Sequence, residues 1–239
     1  MTAARLRALV FIAVVIVAVG ALAIAGVRRT GPRSPAQRPT LLLLTSLPLL
    51  FNEDFSLQGG GSPAVKKLQE HYRVLPISVT DAPELAKGRL LLMAHPLAQT
   101  AENLVTLDQW VRNGGRVLLL ADPLLEWPSK RPLGDPLRPP PMFIDTGLLA
   151  HWGLQLDAPD ARGAQRRQLG GYEVLTLSPG ALRGDCAISS DRLVARCRVG
   201  KGCATIVADA DLLDAGALGP AANRNLDGII AELARLDQK

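Results

Sequence analysis

Between residues 8 and 27 the chain carries no charged side chain. As a helix this stretch would extend about 30 Å, the depth of a bilayer's hydrocarbon core, so the pattern predicts a transmembrane anchor behind a basic flank at residues 1–7. A secretory signal is the rival reading, favoured by Ala23-Ile24-Ala25, but the apolar region of such signals usually runs for about 7–15 residues. Residues 28–39 hold three prolines and four arginines, which predicts an extended, solvated tether.

From Thr40 onward the pattern changes to short apolar runs separated by turn residues. Residues 41–45, 73–77, 89–94 and 116–121 read as strands, the most apolar of them as strands buried on both faces. Ser62 followed by Pro63 opens a helix to about residue 72. Thr100 caps a second helix, on which Leu104, Leu107 and Val111 share a face and Gly114-Gly115 forms the stop. Strand, helix and strand within residues 89–121 make the crossover unit of a parallel sheet.

A proline-rich insertion covers residues 124–141, and a helix is expected near residues 143–151. A β-rich section follows, with strands at residues 167–169, 172–177, 187–189 and 192–199. Gly200-Lys201-Gly202 turns the chain into a strand at residues 204–208. Leu226, Ile229, Ile230, Leu233 and Leu236 mark one face of a final amphipathic helix. The expected fold is therefore α/β: a largely parallel sheet flanked by helices, with a β-rich C-terminal section. The domain spans residues 40–239, behind the 28–39 tether and the 8–27 anchor.

Charge alters this picture only at the N-terminus. The net charge of +5 comes from 27 basic and 22 acidic residues, and six of the basic ones precede Thr40 with no acid among them. The domain itself thus carries 21 basic against 22 acidic residues, a balance that gives no support to nucleic-acid binding. Arginines flank both ends of the apolar stretch, so charge asymmetry does not set its orientation.

Candidate chemistry is sparse. Asp122 and Asp209 each follow an apolar strand, at the end of a parallel sheet where ligands bind, with Asp211 and Asp214 nearby. Together they suggest a magnesium-type site, but aspartates at such places ordinarily cap helices and turns, and capping is the preferred reading. His95 ends a strand before Pro96, while His71 and His151 stand apart, and no histidine pair has metal-ligand spacing. No nucleophile elbow accompanies His95, so a structural role is preferred for it. Gly59-Gly60-Gly61-Ser62 lacks both the P-loop and the dinucleotide pattern and reads as a loop with an N-cap. Cys186, Cys197 and Cys203 lack zinc-site spacing. A disulfide between Cys186 and Cys197, leaving Cys203 free, is expected from their positions in neighbouring segments of the β-rich section. No metal and no cofactor is expected.

The stretch L-D-Q-W-V-R-N-G-G-R-V-L-L-L-A-D-P at residues 107–123 resembles the auxiliary components of uncharacterised ABC transport systems related to gliding-motility proteins. The likeness extends back through residues 45–49 and His95-Pro96, and forward to residues 199–202 and Asp209, so that it covers most of residues 40–214. It implies a fold like that of class I glutamine amidotransferases, although Met93-Ala94-His95 stands where their cysteine would follow the central strand. The resemblance implies a single-pass protein of the bacterial inner membrane, its domain on the periplasmic side beside a multispanning permease and a separate ATPase. The expected function is a non-catalytic accessory or interaction module. The alternative is an anchored hydrolase using His95 or a strand-end aspartate.

Overall fold

The computed structural model describes residues 31–51 and 61–238. The expected flank and anchor at residues 1–27, the start of the tether and Gly59-Gly60 lie outside the described residues. Among the described residues, no helix is long and apolar enough to cross a membrane.

The described residues form eleven strands: β1 (Thr40–Thr45), β2 (Arg73–Pro76), β3 (Leu90–Ala94), β4 (Arg116–Leu120), β5 (Leu154–Asp157), β6 (Ala164–Leu169), β7 (Tyr172–Leu177), β8 (Ala181–Gly184), β9 (Ala187–Ile188), β10 (Val194–Val199) and β11 (Gly202–Val207). The main sheet has the order β2-β1-β3-β4-β11-β10-β9. Its first five strands run parallel, and the β11-β10-β9 end is antiparallel. Leu43, Leu92, Leu118 and Thr205 lie side by side across β1, β3, β4 and β11. Every residue of β3 and β11 is buried, as expected of central strands covered on both faces, and β3 accordingly reads as an unbroken apolar run.

Each main helix is delimited by local chemistry. Ser62 Oγ accepts from Val65 N at the start of Pro63–His71. Thr100 Oγ1 accepts from Asn103 N at the start of Ala101–Arg112, and Gly114 follows it with φ 110°. The C-terminal helix Ala222–Asp237 buries Leu226, Ile229, Ile230, Leu233 and Leu236 on the sheet.

Several expectations need correction. The helix expected near residues 143–151 is a single turn, Leu148–His151. Asp145 Oδ1 accepts from Gly147 N and Leu149 N, and Gly147 adopts φ 102°, so the helix starts there and does not extend back to Phe143. The strand expected at residues 167–169 is longer, because β6 pairs over its whole length with β7 through a turn at Gly170-Gly171, where φ is 60° and 87°. Strands β5 and β8, paired with each other, were not anticipated.

Residues 32–39 are also not simply a solvated tether. Arg33 N donates to Glu70 O, while the Arg33 guanidinium lies 5.1 Å from the Tyr72 ring centroid and 3.2 Å from Asp237 Oδ2.

Cys186 and Cys197 form a disulfide with Cα atoms 4.8 Å apart, next to the Ala187–Arg196 pair of β9 and β10, and Cys203 is a buried free thiol. Thiol titration of the denatured, non-reduced chain should find one free thiol. Reduction should cost about 2–3 kcal/mol of stability, given the short loop that the bridge closes. Gly202 provides a second test. A Cβ there would stand 2.2 Å from the carbonyl oxygens of both Gly115 and Val111. Gly202→Ala should therefore lower stability by about 2–4 kcal/mol in urea unfolding.

Candidate functional site

The carboxyl ends of β3, β4 and β11 lead into His95, Asp122 and Asp209, all of them fully buried. Asp122 Oδ1 accepts from Leu124 N at 2.9 Å and Oδ2 from Ala210 N at 2.8 Å, so one carboxylate fastens the loop after β4 to the loop after β11. Asp209 Oδ2 accepts from Leu177 N and Oδ1 from Leu212 N, each at 2.9 Å, which ties in the end of β7. Asp211 Oδ2 accepts from Glu126 N at 2.9 Å and holds the proline-rich insertion. Asp214 Oδ1 caps the short helix Ala215–Leu218 through Gly216 N and Ala217 N.

Sequence reasoning missed three participants. Glu126 accepts a hydrogen bond from the Ser178 hydroxyl, and Ser178 adopts φ 46°. Asn225 accepts from Leu175 N and donates to Leu175 O, pinning β7 to the C-terminal helix. A polar residue beside Leu226 on a mostly apolar helix face, which also buries Glu232, was the available signal for Asn225. Glu126 and Ser178 are 52 residues apart in the chain and carry no comparable signal.

The magnesium alternative requires several unengaged oxygens that converge on a point. Both oxygens of Asp122 and both of Asp209 instead accept from backbone N–H groups. Among the described residues, no three His, Cys, Asp or Glu side chains are placed to hold a metal ion. The hydrogen bonds of Asp122, Asp209 and Asp211 make these aspartates a set of loop clasps.

Crowding acids in a dry place disfavours their charge. Burial, with Glu126 nearby, raises Asp122 to about 6 against the opposing backbone donors Ala210, Leu124 and Asp211. Burial and the neighbouring Asp122 raise Asp211 to about 7. Burial, Asp122 and Asp211 raise Asp209 well above the ordinary carboxylic range.

His95 serves a different junction. Its N donates to Leu120 O at 3.0 Å, and its O accepts from Ser46 Oγ at 2.5 Å. Nε2 lies 2.9 Å from Pro140 O. A carbonyl can only accept, so Nε2 carries the proton and Nδ1, which has no hydrogen-bond partner among the described residues, is bare. Burial lowers the His95 pKa, leaving the ring neutral. Its φ of 46° is held by these three bonds. His95 and Asp122 end adjacent strands, but among the described residues neither hydrogen-bonds to the other. His71 is buried elsewhere, and His151 lies 3.4 Å from Asp108.

A separate cavity of about 570 Å³ opens between Ala101–Arg112 and Leu148–His151, lined by Leu104, Val105 and Leu148 with Asp108 and His151 at its polar side.

The raised carboxyl pKa values make a signed prediction. A folded chain that holds these protons more tightly than the unfolded chain gains stability that is full below about pH 4 and is lost as pH rises through the folded values of about 6 and about 7. Buried His71 and His95, whose pKa values are lowered, act in the opposite sense, so a comparison of variants isolates the carboxyls. Asp211→Asn keeps an oxygen for Glu126 N and removes one charge. Relative to the parent chain it should gain about 1–3 kcal/mol between pH 5 and pH 8 in urea unfolding. Identical profiles would remove Asp211 from the coupled cluster.

No family model matches the chain, and no curated protein matches it. Among solved structures it is similar to the mmIFT52 N-terminal domain, with 13% identity and a TM-score of 0.52 over 82% of this chain and 97% of that domain. It is also similar to the exo-β-1,4-mannosidase Op5Man5 from Opitutaceae bacterium strain TAV5, with 16% identity and a TM-score of 0.48 over 83% of this chain. The chain spans 36% of the length of that mannosidase. At these identities the likeness concerns the fold alone.

Proposed function

We propose that the α/β domain is a non-catalytic interaction module, held at a membrane by residues 8–27, that serves an ABC-type transport or envelope system beside a multispanning permease and a separate ATPase. The observation that carries the non-catalytic reading is the engagement of the strand-end groups. Asp122 and Asp209 use both oxygens to hold backbone, and His95 uses Nε2 to hold Pro140. The resemblance around residues 107–123 supplies the transport context, and the uncharged run supplies the anchor. The Cys186–Cys197 bridge fits an oxidising compartment, which favours a domain on the periplasmic side of the inner membrane. The apolar cavity beside Val105, itself 56% exposed, offers a surface to another protein.

The hydrolase alternative draws on Nδ1 of His95 and Oδ1 of Asp211, neither of which has a hydrogen-bond partner among the described residues. His95→Gln separates the two readings, because glutamine can still donate to Pro140 O while losing the imidazole. We expect the folded variant to retain its membrane assembly and physiological activity, with stability lowered by about 1–2 kcal/mol. Loss of activity in a folded, correctly assembled variant would favour the hydrolase. Purification from detergent-solubilised membranes should recover a permease and an ATPase with the chain. A reporter fused after Lys239 should be active only outside the cytoplasm, and cytoplasmic activity would defeat this topology.

A further inference from the structure

The two ends of the parallel sheet differ in chemistry. At the end where strands begin, Arg73 starts β2, Arg89 precedes β3, Arg116 starts β4 and Lys201 precedes β11. On this side a pocket of about 250 Å³ lies against the end of the C-terminal helix, lined by Arg116, Arg196, Arg198, Lys201 and Arg235 together with Thr205. Five of the domain's 21 basic side chains therefore surround one small cavity, in a domain whose charges otherwise nearly balance.

Part of this charge has a structural explanation. Arg196 makes a two-pronged pair with the fully buried Glu232, and Arg235 lies 3.7 Å from the same carboxylate. Arg116 Nη1 donates to the Asp237 carbonyl at 3.1 Å, complementing the negative end of the helix. Asp237's own carboxylate is turned to Arg33, 3.2 Å away. Glu232 therefore meets Arg196 and Arg235 with a single negative charge, and Arg116, Arg198 and Lys201 line the same pocket. Arg198 and Lys201 are exposed, and among the described residues neither side chain has an ion pair or hydrogen bond. Two unpaired cations and a partly engaged guanidinium at the mouth of a small polar cavity suit a phosphate group, whose oxygens accept charge-assisted bonds from several donors at once.

The position of the pocket narrows the source of that phosphate. Asp237 joins the pocket to the point where the preceding chain docks, binding Arg33 through its carboxylate and Arg116 through its carbonyl. In the sequence only residues 28–32 separate Arg33 from the uncharged run.

We propose that this pocket binds the phosphate of an anionic phospholipid headgroup, with the neighbouring row of strand-start basic residues facing the lipid surface. The assignment of a lipid source rests on the membrane-anchored reading, whereas the phosphate chemistry of the pocket does not. Lipid-facing cations of this kind are attracted by an anionic leaflet and screened by salt.

The test uses the full chain in neutral detergent micelles. Equilibrium binding is measured to glycerol 1-phosphate, to phosphatidylglycerol doped into the micelles, and to phosphatidylcholine as a zwitterionic control. Glycerol 1-phosphate and phosphatidylglycerol should bind, more weakly at higher salt, and phosphatidylcholine should not. The double variant R198E/K201E changes two exposed side chains and should weaken both interactions about tenfold or more, while R162E at a distant exposed site should not. Unchanged affinity in the double variant, or no binding by the parent chain, would overturn the site. Binding of glycerol 1-phosphate without preference for phosphatidylglycerol would overturn the lipid source. The mass of the membrane-extracted chain tests the anchor separately: a chain shortened past residue 25 that still binds glycerol 1-phosphate would sink the anchored reading and leave the pocket's chemistry standing.

Discussion

The carboxylate of Asp122 closes the junction on which the sheet depends. β4 and β11 are neighbours in space, but the Asp122–Ala210 bond joins residues 88 positions apart, and the intervening chain must leave the sheet and return. A side chain that accepts from Leu124 N on one side and Ala210 N on the other lets the sheet continue across that gap without leaving buried amides unmatched. Asp209 and Asp211 extend the same device to β7 and to the proline-rich insertion. Removing one of these carboxylates would strand buried N–H donors, which costs more than the net worth of the bonds themselves.

That solution creates an electrostatic difficulty. Carboxylates close together in a low-dielectric interior repel, and burial already disfavours their charged forms. A proton retained on the cluster relieves the repulsion while leaving oxygens available to the backbone donors. The upward pKa shifts are thus the electrostatic counterpart of using acids as clasps, and they arise without any substrate.

The sequence made the central strands legible because burial on both faces leaves an uninterrupted apolar run, as in Leu90–Ala94 and in the Val117–Leu120 stretch of β4. The Ala101–Arg112 helix was legible from Thr100 and Gly114, whose conformational roles are local. β5 and β8 were not, because each spans four residues and depends on the other for pairing. The Leu148–His151 turn was overextended because periodicity does not reveal that Asp145 turns back onto Gly147 N. At the site, Asp122 and Asp209 could be identified by their place after a strand. The connections of Asp209 to Leu177, of Asp122 to Ala210 and of Asp211 to Glu126 depend on the return path of the chain, which spacing alone does not encode.

The two outermost strands constrain how this domain can meet other chains. One margin of the main sheet is the four-residue β2, which ends in Pro76 and so lacks a backbone donor there; the other is the two-residue β9, beside the Cys186–Cys197 bridge. Short margins interrupted by proline or covalent closure are poor templates for an added strand. The sheet is thereby insulated against edge-to-edge growth into fibres, and backbone pairing at its margins is disfavoured as a mode of contact.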